Sequence, residues 1–259
     1  MIRLRLRSSG RALMGAVAAV ALALVGVSAS PAAAIRNGRG ASIEQAPYTV
    51  ILMTAEGVQL CGGTLVASDK VLTAAHCVTA VDDPTTLTVI AGRTDYTQAG
   101  GRHRQVVSAK VHPLFDQGTL TYDAAVLVLD RPLPYPTLPI AGPHDGGLYQ
   151  VGRKATVFGW GAMDGGVPTT TLQRTTLVVS PVPACDPYTF PEDTAALKVC
   201  GLGPKANPGT SICRGDSGGP LVEDGKLIGI VSSGNKYCTD EQPRSAFTRA
   251  SAIRRGLGL

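Results

Sequence analysis

Three side chains that can share one proton-transfer task stand far apart in this chain: His76 in LTAAHC, Asp123 in LTYDAAVLVLD and Ser217 in SICRGDSGGPLV. A serine hydroxyl is a weak nucleophile until a neighbouring imidazole takes its proton. That imidazole keeps the useful tautomer only when a carboxylate accepts from its other nitrogen. Taken singly, each residue has a plainer reading. Gly, Asp and Ser are common turn formers, a lone histidine is usually structural, and an aspartate before a strand is commonly a cap or an edge residue. Only a fold that brings all three together would turn them into chemistry.

The surroundings favour such a fold. Four arginines and no acid fall within MIRLRLRSSGR, an apolar run extends from Ala12 to Val27, and small residues continue to Ala34. That order is the pattern of a secretory signal peptide, too short and wrongly flanked for a membrane anchor. Residues 1–34 are therefore expected to be removed and the remainder secreted, with no membrane partner thereafter. Arg3, Arg5, Arg7 and Arg11 supply four of the charges behind the net +5, which leaves the rest near +1 and gives no reason to expect nucleic acid. The six cysteines all lie beyond Ala34, an even count that favours disulfides in an exported chain. Many connectivities remain open, although pairing neighbours in order closes the shortest loops. No close pair of the CxxC kind suggests zinc.

The elements that would position the three residues are strands. YTVILMT, KVLTAA, TLTVIAG, AAVLVLD, KATVFGW, TTLVVS and SAFTRA are short apolar or β-branched runs separated by turn signals. VEDGKLIGIV places Asp-Gly between two such runs, a strong hairpin signal. Helical periodicity is nearly absent before a short C-terminal helix in ASAIRRGLGL. The proline-rich stretch 131–147 cannot pair as a central strand and reads as a linker. The expected architecture is all-β in two halves, a first barrel over about 48–130 and a second over about 148–249.

TAAHC, YDAAVLVL, FGWG and GDSGGP, in that order, resemble the trypsin and chymotrypsin-like serine peptidases over nearly all of residues 35–259. The resemblance implies two six-stranded antiparallel β-barrels with the active site between them. It makes Ser217 the nucleophile, His76 the general base, Asp123 the residue that holds the imidazole, and the Gly215 and Ser217 amides an oxyanion hole. It also implies the disulfides Cys61–Cys77, Cys185–Cys200 and Cys213–Cys238. Asp216 would pair with a free amine at Ile35, although Arg36-Asn37-Gly38 departs from the family's small residue and two glycines. Ala32-Ala33-Ala34 fits a signal-peptidase site, so export itself would create that amine; a cut after Ala29 would leave a short propeptide instead.

Substrate contacts are implied at Ser211, Ile212, Arg214, Ser232, Ser233, Gly234 and Ser245. Ser211 stands where relatives that select Lys or Arg carry an aspartate. The expected preference is therefore for uncharged, medium-sized apolar side chains such as Leu or Met. Trp160, in FGWG, reads as structural. No cofactor or metal is expected, and IAGRTDYTQAGG lacks the carboxylate pair a calcium ion would want. The expected partners are protein or peptide substrates of a monomeric enzyme. The rival is a catalytically weak or inactive relative acting as a binding module. GDSGG also satisfies G-x-S-x-G, but no helix follows it and the residue order is wrong for an α/β-hydrolase.

Overall fold

The computed structural model describes residues 35–239 and 241–259, together with Ile2. The expected signal peptide, 1–34, lies outside the described residues apart from Ile2.

Among the described residues the strands form two closed barrels of six antiparallel strands each. The first contains β2 (Thr49–Met53), β3 (Gln59–Ala67), β4 (Lys70–Thr73), β5 (Thr88–Ala91), β6 (Arg102–Val111) and β7 (Ala125–Leu129), closed in the order β2-β3-β4-β7-β6-β5. The second contains β8 (Lys154–Gly159), β9 (Gln173–Ser180), β10 (Lys198–Leu202), β11 (Pro220–Glu223), β12 (Lys226–Gly234) and β13 (Arg244–Arg249), and β8 pairing with β9 closes it. A two-residue strand, β1 (Arg39–Gly40), adds to β9, so the segment just after Ile35 belongs to the second barrel.

Local chemistry explains many of these elements. TVILM in β2 is apolar throughout except for its threonine and is buried along its whole length, as expected of a strand covered on both sides. β9 alternates buried and half-buried residues at period two. Asp224 and Gly225 join β11 to β12 with φ of 49° and 69°, the two left-handed positions of the hairpin turn that Asp-Gly favours.

The proline-rich stretch makes no named strand, yet it is anchored. Leu133 and Leu138 are buried in the first core, and Ile140 bridges Leu227 in the second barrel. The C-terminal helix α2 (Ala250–Leu257) buries Ala250, Ile253 and Leu257, one helical stripe, in the cluster that holds the first core.

One element differs from the strand-only expectation. His76 lies on a short helix, α1 (Ala75–Thr79), rather than at a strand end. Five residues are too few to form a helix alone. This one is held by the Cys61–Cys77 bridge to β3 and by burial of Ala75, Cys77 and Val78.

Candidate active site

Asp123, wholly buried, precedes β7 and is the hub of the site. Its Oδ1 accepts from the His76 backbone amide at 2.9 Å, and its Oδ2 meets His76 Nδ1 at 2.7 Å. Oδ2 also accepts from Ser232 Oγ, on β12, at 2.7 Å. An ionised carboxylate only accepts, so this arrangement makes Nδ1 the protonated nitrogen and leaves the Nε2 lone pair available. The His76 side chain is 27% exposed, open enough to meet a substrate.

Ser217 reaches the same place through backbone packing. Its carbonyl accepts from Gly62 on β3 at 2.7 Å. A Cβ on the next residue, Gly218, would lie 2.2 Å from Thr73 Oγ1 and 3.1 Å from the Ala74 amide nitrogen. Thr73 and Ala74 lead directly into α1, so the Ser217 turn of the second barrel presses on the root of the His76 helix. Gly218, at φ 81°, is required both for its conformation and for this close approach.

The turn itself exposes two amides. Asp216 N donates to Cys213 O at 3.1 Å and Gly218 N to Val231 O at 2.8 Å. Among the described residues, neither the Gly215 amide nor the Ser217 amide has a protein acceptor. Gly215 takes φ 91°, and Gln59 Nε2 donates to its carbonyl at 3.3 Å, which keeps that oxygen turned away. Gln59 carries no recognisable motif, so its part was not legible beforehand.

Asp216 is fully buried. Its carboxylate accepts from the amides of Cys213 (2.8 Å) and Gly161 (2.9 Å), while burial pushes its pKa up to about 7. The glycines of FGWG make room for it, since a Cβ on Gly159 or Gly161 would come within 2.2 or 2.5 Å of its atoms. Trp160 between them is buried and donates to Thr94 O at 2.9 Å, a structural role. Ile35 is wholly buried in the second core, in the cluster that also holds Ile212. Arg36, replacing the family's small residue, is also buried; it lies 3.6 Å from Asp164, donates to Gly209 O, and bridges Ser211.

A cleft of about 210 Å³ opens beside Ser217, lined by 212–215, Val231, Ser232, Ser233, Gly234 and Lys236. Ile212 lies against Gly234, where an added Cβ would sit 2.9 Å from its Cγ1. Ser211 and Ser245 are wholly buried and are not among the residues that line the cleft. Ser245 Oγ accepts from Ile212 N at 3.1 Å, and Ser211 Oγ is buried without a hydrogen-bond partner among the described residues. Ser233 Oγ donates to Tyr188 O at 2.9 Å, and the exposed Arg214 donates to Gly166 O at 3.0 Å. Lys236, a second cation at the cleft, was not anticipated.

The cysteines join as Cys61–Cys77, Cys185–Cys200 and Cys213–Cys238. His76, Cys61 and Cys77 are close enough to resemble a ligand cluster, but both sulfurs are committed to a disulfide.

Known proteins resemble both the sequence and the fold. The family described as Trypsin matches residues 35–255. A protein named trypsin from Saccharopolyspora erythraea is 37% identical, over 84% of this chain and 94% of the relative. A protein named chymotrypsin from Phaedon cochleariae is 32% identical, over 86% of this chain and 80% of the relative. Among solved structures, mouse neuropsin, a serine protease, superposes with a TM-score of 0.71 at 26% identity, over 84% of this chain and 95% of neuropsin. With the family matched from the buried Ile35 through both barrels, the chain belongs to the trypsin family and is a serine endopeptidase.

Proposed function

We propose that Ser217, His76 and Asp123 perform the hydrolysis. The single observation that carries this reading is the wholly buried Asp123 carboxylate, held by His76 and Ser232, which leaves His76 Nε2 as the base. Ser217 Oγ bonds to the scissile carbonyl carbon as Nε2 takes its proton. The Gly215 and Ser217 amides receive the oxyanion, each such donor being worth about 3 kcal/mol in the transition state. The carbon–nitrogen bond then breaks as the imidazolium returns the proton to the leaving amine. A water repeats the cycle on the acyl-enzyme.

The preferred residue before the scissile bond is uncharged, apolar and of medium size, such as Leu or Met. Among the described residues the cleft is lined by Arg214 and Lys236 and by no carboxylate, so a lysine or arginine side chain would meet no countercharge from them. Ile212 across the cleft disfavours long rings. Protein or peptide substrates, a monomeric enzyme and an extracellular site of action complete the proposal, with no nucleic acid or membrane partner. The three disulfides support an oxidising compartment. Removal of residues 1–34 would free the Ile35 amine to pair with the buried Asp216.

The deciding experiment treats purified secreted protein with a fluorophosphonate probe and maps the label, beside a Ser217→Ala control. Label on Ser217 and none in the control is expected. No label on folded protein that begins at Ile35 would favour the binding-module reading. A peptide panel varying the residue before the cut tests the preference, and faster cleavage after Lys or Arg than after Leu would overturn it.

A further inference from the structure

Lys198 is 2% exposed, one of the largest fully buried side chains, yet it is a lysine. Burying an ammonium is costly unless it is hydrogen-bonded or faces opposite charge. Lys198 does both. It lies on β10 of the second barrel, and its Nζ donates at 2.6 Å to the carbonyl of Leu120, in the first barrel's chain. The carboxylates whose charge it feels are Asp193, on the preceding loop, and Asp123; they oppose the effect of burial, which pushes its pKa down. Asp193 is itself buried, with Oδ1 lacking a hydrogen-bond partner among the described residues.

The segment that Lys198 grips is unusual. Leu120 and Tyr122 take φ of 55° and 53°, left-handed conformations that residues with a β-carbon adopt at a cost. Tyr122 O accepts from Ala124 N at 2.7 Å, and its ring stacks on His112 at 4.5 Å, so Asp123 sits between two held neighbours. Backbone in sparsely populated regions persists only where its surroundings impose it. From the opposite barrel, the Lys198 side chain reaches this segment at the Leu120 carbonyl.

We propose that Lys198 is a positioning residue, which from the second barrel clamps the segment 120–122, left-handed at Leu120 and Tyr122, through the Leu120 carbonyl and so fixes the aim of Asp123 at His76. This rests on the roles assigned above to Asp123 and His76. A lysine that merely fills the core could be exchanged for an apolar residue of like length without touching the reaction.

The test is Lys198→Met, with Lys198→Gln carrying it if the first variant fails to fold; glutamine is polar but one atom too short, and uncharged. In either folded variant kcat should fall about tenfold while KM changes less than about twofold, since binding groups are left in place. The downfield proton resonance of His76 Nδ1–H, read without substrate, should move. In an Asp123→Asn background the same substitution should cost less than about twofold in kcat, because Lys198 acts through that carboxylate. Wild-type kcat with an unmoved resonance, or a tenfold loss that persists beside Asp123→Asn, overturns the proposal. A resonance that moves in a protein without peptidase activity would sink the catalytic reading and leave the clamp standing.

Discussion

Ser211 and Ile212 are neighbours in the chain with opposite situations. Ser211 is wholly buried and does not line the cleft, while Ile212 lines it and lies against Gly234. Placing an acid at Ser211 should therefore not produce an enzyme that selects lysine. Ser211→Asp is expected to leave cleavage after Lys slow in the peptide panel and to cost about 3 kcal/mol of stability in urea titrations, the penalty of an unpaired buried carboxylate. Ile212→Ser should instead open the wall. Its kcat/KM for Phe relative to Leu is expected to rise about tenfold, the scale of discrimination a few methylenes provide in an apolar pocket. The family resemblance implied a substrate contact at Ile212. It could not show that Ser211 is wholly buried, because Ile212 is held by Gly234 and Ser245 from strands later in the chain.

The elements around the site are too short to hold themselves. α1 has five residues, and the Cys61–Cys77 bridge ties it to β3 across a separation of 16 residues. Replacing both cysteines by alanine should cost about 3 kcal/mol, a loss of about 10 °C in Tm by calorimetry. Fluorophosphonate labelling below that Tm should also slow, since His76 rides on the freed helix. The Ser217 turn is equally dependent on its partner element. The contact of Gly218 with Thr73 and Gly62 leaves no room for a methyl group at a φ of 81°. Gly218→Ala is expected to abolish labelling even if circular dichroism shows the barrels intact. The glycines of GDSGGP signalled a tight turn; that one of them presses on the other barrel is a fact of packing.

Across the whole molecule, the second barrel buries one carboxyl, Asp216, held by the amides of Cys213 and Gly161. While residues 1–34 remain attached, no amine is free at Ile35, and burial holds Asp216 at about 7 against an ordinary value of 3.8. A raised carboxyl pKa means the folded state keeps this proton longer than the unfolded one. Stability from this group is full below about pH 4 and is lost as pH rises through about 7, at up to about 1.4 kcal/mol per pH unit. A protein beginning at Ile35 should lose that trend, because its ammonium stabilises the ionised carboxylate. Urea unfolding of Ser217→Ala protein with and without residues 1–34, at pH values from about 4 to 7.5, measures the difference. Parallel stability curves would show that Ile35 and Asp216 do not pair.

The short strands, the Asp-Gly hairpin and the proline-rich stretch without a strand were legible in the sequence, because strand propensity and turn chemistry act over a few residues, and the order of His76, Asp123 and Ser217 was read directly from it. Family motifs extended that reading to the two barrels and the three disulfides. The helix under His76, the Gln59 contact, Lys236 at the cleft and the burial of Ser211 each depend on residues distant in the chain, and only packing brings them together. Lys198 marks the boundary most sharply. In AALKVC nothing sets it apart, and it becomes a buried lysine bonded to the Leu120 carbonyl only when the second barrel closes against the first.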